Sequence, residues 1–175
     1  MKKQNQEILK QSPEHIETAR KDAGSVTIGY NIKATWRNKN GKVVKRDEKA
    51  NLIAKVGRAV FAALLAHDDT NSPAITYGAL GNGTTPPAPS DVALESETIR
   101  KAPISFSQGA GDNSHKAFIT FVYNVDEAVG NHKEFGTFMG GSIDPDTGLL
   151  SSHLAVDWVK TDQQSLTIDC IYTIN

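Results

Sequence analysis

The chain has 175 residues, 38% of them hydrophobic and 22% charged, with a formal net charge of -1 at pH 7. That is one domain's worth of ordinary globular composition, long enough to bury a sizeable core. The near-neutral balance leaves no electrostatic footprint for nucleic acid or an anionic membrane, and no stretch approaches 18 uninterrupted apolar residues.

The N-terminus, MKKQNQEILKQSPEH, has two lysines but lacks the apolar core of a secretory signal. Residues 1–24 are polar and read as an arm. Ser12-Pro13-Glu14 is a helix start, with Ser as cap, Pro at the first helical position and an acid in the first turn, and Gly24 is a stop. Ile8, Leu9 and Ile16 are the only large apolar groups there, too few for a helix to stand alone in water. They are the expected anchors of a segment that docks on a neighbouring subunit, with Arg20, Glu7 and Glu14 setting register.

Residues 25–175 read as a single domain. From 25 to 37, Val26, Ile28, Tyr30, Ile32, Ala34 and Trp36 share one face and Thr27, Asn31, Lys33, Thr35 and Arg37 the other, the period of a half-buried strand. Asn40-Gly41 predicts a type I′ hairpin, and KVVKRDEK returns as a charged strand suited to a sheet edge. The run NLIAKVGRAVFAALLAH predicts one long buried helix over about residues 51–66. Its stripe is Ile53, Val56, Val60 and Leu64, with Lys55 and Arg58 off it. Strands follow at Ile75–Leu80 and about Glu95–Phe106, with Ser90 or Asp91 capping a helical turn over Val92–Leu94. Between them, Gly81, Gly83, Pro86 and Pro87 predict a rigid structural turn, with φ > 0 expected at the glycines.

Lys116–Asn124 is apolar on both faces apart from Thr120, as expected of a central strand. Glu134–Met139, Leu149–Val159 and Ser165–Ile174 are further strands. Gly140-Gly141 ends the first, and Asp144-Pro145-Asp146-Thr147-Gly148 turns before the second. In the last, Leu166, Ile168, Cys170, Tyr172 and Ile174 share a face. The expected fold is mainly β: an antiparallel β-sandwich of about eight strands with one long helix and an N-terminal arm.

The pattern N-L-I-x-x-x-G-R-x-x-x-A-x-L-L, then Y-G-A-L-G-N-G-T-T-P-P-A-P-S-D-V-A-L, then Glu134-Phe135-Gly136-Thr137-Phe138 and Val159-Lys160-Thr161, resembles a group of small structural proteins of tailed bacteriophages. The match covers roughly Asn51 to the C-terminus. It implies a virion structural protein, of tail, baseplate or fibre-attachment type, assembled in the bacterial cytoplasm. Its partners would be copies of itself, as a trimer or ring, and other virion proteins. A head decoration or head-fibre protein is the alternative within that class. A carbohydrate-binding module for host glycans is the alternative outside it.

No constellation argues for an enzyme, a cofactor or a metal. His15, His67, His115, His132 and His153 are scattered without H-x-x-x-H or C-x-x-C spacing. Asp144 and Asp146 lack the rest of a calcium-loop ligand set and read as turn residues. The Gly81–Thr85 stretch lacks the G-K-[ST] of a phosphate loop, and Gly140-Gly141-Ser142 is not a nucleophile elbow. The single cysteine, Cys170, excludes an intrachain disulfide, fits a reducing compartment and reads as an inert core thiol. Glu97 and Glu134 would form a glycosidase pair only if the fold joined them. Surface or interface ion pairing with Arg100 or Lys101 is the simpler expectation. Tyr30, Trp36, Tyr123 and Trp158 read as core or subunit-facing aromatics rather than a sugar platform.

Overall fold

A computed structural model describes residues 27–50 and 52–175. The N-terminal arm, with Ile8, Leu9, Ile16 and Arg20, lies outside the described residues.

The described chain forms an antiparallel β-sandwich of two five-stranded sheets. The first contains β1 (Ile28–Asn38), β2 (Val43–Ala50), β6 (Ser105–Gln108), β7 (Lys116–Tyr123) and β10 (Gln164–Ile174), in the order β2-β1-β10-β7-β6. The second contains β3 (Leu52–Ile53), β4 (Ile75–Gly81), β5 (Glu97–Lys101), β8 (Gly130–Met139) and β9 (Leu149–Lys160), in the order β3-β9-β8-β4-β5.

The strong alternation in β1 and β10 does what its period requires. The two strands pair along their whole lengths, from Ile28 opposite Ile174 to Asn38 opposite Gln164. Tyr30, Ile32, Ala34 and Trp36 meet Leu166, Ile168, Cys170 and Tyr172 in the core, beside Phe121 of the same sheet and Phe135, Leu154 and Trp158 of the facing one. Trp36 and Trp158 touch edge to face across the layers at 5.6 Å, the arrangement their ring quadrupoles favour.

The second sheet has a cover on its outer face. Ala54, Ala79, Leu94, Phe138 and Leu150 form a smaller apolar cluster there, under helix α1 (Lys55–Leu65) and the loop joining β4 to β5. Gly57 is needed for that packing, since a Cβ at this position would sit 2.8 Å from the Ser151 carbonyl.

Four expectations need correction. The helix is shorter than 51–66 and only half buried: Ile53 belongs to β3, Gly57 and Val60 face inward, and Leu64 is exposed. Its apolar stripe covers one sheet rather than lying within a core. The stretch Glu95–Phe106 is two strands, not one. Pro103, with no amide to donate, falls at the break, and the chain crosses from the second sheet into the first. The Asn40-Gly41 turn is not type I′, because of the two residues only Gly41 has positive φ (77°). Instead Gly41 N–H donates to the Asn38 carbonyl, and the Asn38 side chain accepts the amides of Asn40 and Lys42, the geometry of a three-residue turn closed by a left-handed glycine. No helical turn forms over Val92–Leu94. The Asp91 carboxylate has been drawn to other partners.

Candidate functional site

Two features stand out from the sandwich: a buried polar anchor under the Gly/Pro loop and an apolar groove at one end.

The anchor centres on Glu134, 2% exposed on β8. Period-two alternation turns Phe135 into the main core and Glu134 to the outer face, where the loop of residues 82–96 covers it. The carboxylate accepts the backbone amides of Gly83 (2.9 Å) and Ser96 (2.8 Å) on Oε1, and the amide of Glu95 (2.9 Å) on Oε2. His153 of β9 completes the set with Nε2 3.0 Å from Oε2. Three of the four acceptor positions of the carboxylate are thereby taken by loop amides, and the fourth faces the imidazole. His153 Nδ1 lies 2.7 Å from Asp91 Oδ2, which also accepts the Ala88 amide at 2.8 Å. Burial pushes the Asp91 carboxyl up, but the Ala88 amide and the His153 ring outweigh it and hold it below the ordinary carboxylate range. Glu95 in turn accepts the Thr85 amide at 2.8 Å, which lowers its carboxyl too.

The line Asp91–His153–Glu134 has the residue types of a catalytic relay but not the layout. Every oxygen aimed at the ring is engaged by loop amides, so the line closes the loop down on the sheet. Gly81 and Gly83 are required by this closeness, not by backbone sign. Neither has positive φ, but a Cβ at Gly83 would stand 2.6 Å from Glu134 Oε1, and one at Gly81 2.5 Å from the Ser96 carbonyl. Close approach, not the positive φ that the sequence pattern implied, is what requires glycine at these two positions.

A second anchor holds the Asp144–Gly148 turn. The buried Arg100 side chain of β5 donates to Glu97 in a two-pronged pair, 2.5 and 2.7 Å. Its remaining fork donates to the Ser142 and Thr147 carbonyls at 3.1 and 2.9 Å, and the guanidinium rests 4.6 Å over the Phe138 ring. Glu97 pairs with Arg100 as expected, but in the interior rather than at a surface or interface, with both side chains enclosed. Lys101 pairs with Glu127, not with Glu97 or Glu134. Glu134 has no Arg or Lys partner among the described ion pairs, and its role was missed. The signal was present: Glu in the apolar strand EFGTFM and His in LLSSHLAV, each amid buried neighbours.

Tyr30, Trp36, Tyr123 and Trp158 are all buried, which takes them out of reach of a glycan. Cys170 is buried as expected, and burial pushes its thiol up to about 12. Among the described residues no cluster of His, Cys, Asp and Glu is arranged to hold a metal ion, and no helix is long and apolar enough to cross a membrane.

The groove, about 860 Å³, opens between the sheets where β1 and β7 begin and β10 ends. Tyr77, Phe106, Phe118 and Ile119 are among its walls, with Ile28 and Ile174 at the chain's arrival in the sheet. Beside it Phe106 is 77% exposed and Ile104 64%.

Fold and site together define an antiparallel sandwich whose buried charges fasten loops and which carries an apolar groove at one end. No protein-family model, curated protein or solved structure matches the chain.

Proposed function

We propose that this protein is a structural component of a tailed-bacteriophage particle, of tail, baseplate or fibre-attachment type, that works by assembling with copies of itself and docking on other virion proteins. The observation that carries this reading is the apolar end. A rigid sandwich presents Ile104 and Phe106 in the open around a large groove, and surface of that kind marks an interaction site. The phage resemblance of residues 51–175 supplies the setting. The two anchors support a geometric role, because loops fastened by buried carboxylate and guanidinium groups keep one shape for a partner to meet.

Sedimentation of the purified protein at micromolar concentration tests this. A trimer or larger closed assembly is expected, and Ile104→Asp with Phe106→Asp should return it to monomers. A wild-type protein that stays monomeric and fails to join particles in infected cells would end the proposal. Gold labelling of particles separates tail, baseplate and head positions, a head location pointing to decoration or head-fibre use.

A further inference from the structure

We infer that the outer edge of β6 receives β6 of a second copy of this chain, the two strands running antiparallel about a two-fold axis at Phe106. The inference rests on the reading that copies assemble, and names the contact through which they meet. Among the described residues β6 is the last strand of its sheet, paired to β7 on one side only. The Gly109 amide donates to the Lys116 carbonyl at 2.9 Å. Alternate residues of an antiparallel strand bond the same neighbour, so Ser107 also turns its amide and carbonyl to β7. Phe106 and Gln108 turn theirs to the open side. All four residues of β6 are exposed, and nothing charged lies between Lys101 and Asp112.

The other three sheet edges are guarded. β2 carries Lys45, Arg46, Asp47, Glu48 and Lys49, β5 carries Glu97, Arg100 and Lys101, and β3 is two residues long. Charge and extreme shortness both discourage pairing, and β6 has neither device. A strand added there needs apolar groups at alternate positions to lie beside Phe106. That side chain stands opposite the core residue Ile119 and so faces the second sheet. The added strand also needs small polar groups beside Ser105 and Ser107, and no charge to be desolvated against Ile104 and Phe106. Ile104-Ser105-Phe106-Ser107 meets all of these demands itself. With Phe106 opposite its counterpart, the outward amides and carbonyls of both copies exchange bonds, and two aromatic side chains lie directly across from each other. A patch that pairs with itself closes after one pairing. An assembly built on it has an even number of chains.

The test uses two full-length variants, Ser105→Cys and Ser107→Cys. On this axis Ser105 of one copy faces Ser107 of the other, with Cα atoms about 4.5 Å apart, within disulfide reach. Like positions lie diagonally, roughly 7–8 Å apart and beyond that reach. Both serines are exposed and turned away from the second sheet, and the native Cys170 is buried. Expected under mild oxidation at micromolar protein is a disulfide-linked dimer several times more abundant in the mixture than in either variant alone. Assembly in sedimentation with equal cross-linking in all three samples, or with an odd number of chains, overturns the inference and leaves the reading that copies assemble intact. Thiols shielded only inside particles, without the mixed disulfide, overturn it in favour of a strand from another virion protein. Monomers throughout, with no cross-link, end the inference and, where the protein also fails to join particles, the reading with it. Gln108→Pro reads the backbone directly. It removes an outward amide, spares the backbone bonds to β7 and should lower the assembled fraction several-fold. An unchanged fraction counts against the pairing.

Discussion

Glu134 shows how much of this structure rests on single side chains. Its carboxylate is enclosed, accepts three backbone amides and abuts the His153 ring, so no neutral residue of similar shape can satisfy the same donors. Glu134→Gln turns an amide NH₂ against N–H groups that need an acceptor, and should cost roughly 3 kcal/mol, read as a lower urea midpoint. Gly83→Ala, which forces a methyl onto that carboxylate, should cost about 1–3 kcal/mol by the same measurement. His132 leads to a different expectation. Burial lowers its pKa, the nearby Lys160 ammonium lowers it further, and Nδ1 is buried without a partner. The unfolded chain therefore binds a proton that the folded one resists, between the depressed folded value and the ordinary value near 6.5. Stability should fall as pH drops through that window, and His132→Leu should flatten the slope in denaturation curves taken from pH 7.5 to 5.

At the scale of elements, the buried charges sit on strands and hold loops down on them. Arg100 joins β5 to the turn after β8 through a planar fork that Lys cannot reproduce. Arg100→Lys should therefore rescue little of the roughly 3–5 kcal/mol lost in Arg100→Met, which leaves Glu97 buried without its cation. A calorimetric Tm series of the three proteins reads the difference. What was legible in the sequence divides along the same line. β1 and β10 show period-two alternation because one face of each meets the core, so their faces followed from residue order alone. The β5–β6 switch was hidden because both halves are strand-forming and only Pro103 separates them. The Glu134 anchor was hidden because its donors lie in a loop some forty to fifty positions away, and no local pattern encodes such a meeting. The prolines and glycines marked a loop; the close approach of Glu134 and Ser96 that requires the glycines was not legible. The helix was overextended because its apolar stripe runs on into β3.

The described residues form a two-layer body whose fastened loops lie over one sheet and whose apolar groove opens at one end. A second sequence-distant feature gives it a history as well as a shape. β1 has β10 along one side for its full length, so the first strand described pairs with the last. During synthesis the early half of the first sheet therefore waits, with Trp36 and Tyr30 uncovered, until almost the whole chain has left the ribosome. Closing so long a loop is entropically costly before any contact rewards it, which places refolding in the millisecond-to-second range rather than in microseconds. Nascent chains stalled before Gln164 should remain sensitive to protease throughout, and protection should appear in one step once Ile174 emerges. The waiting strands are candidates for chaperone binding and for mispairing between chains on one polysome, so yield should depend more on translation rate and temperature than on the equilibrium stability of the finished sandwich.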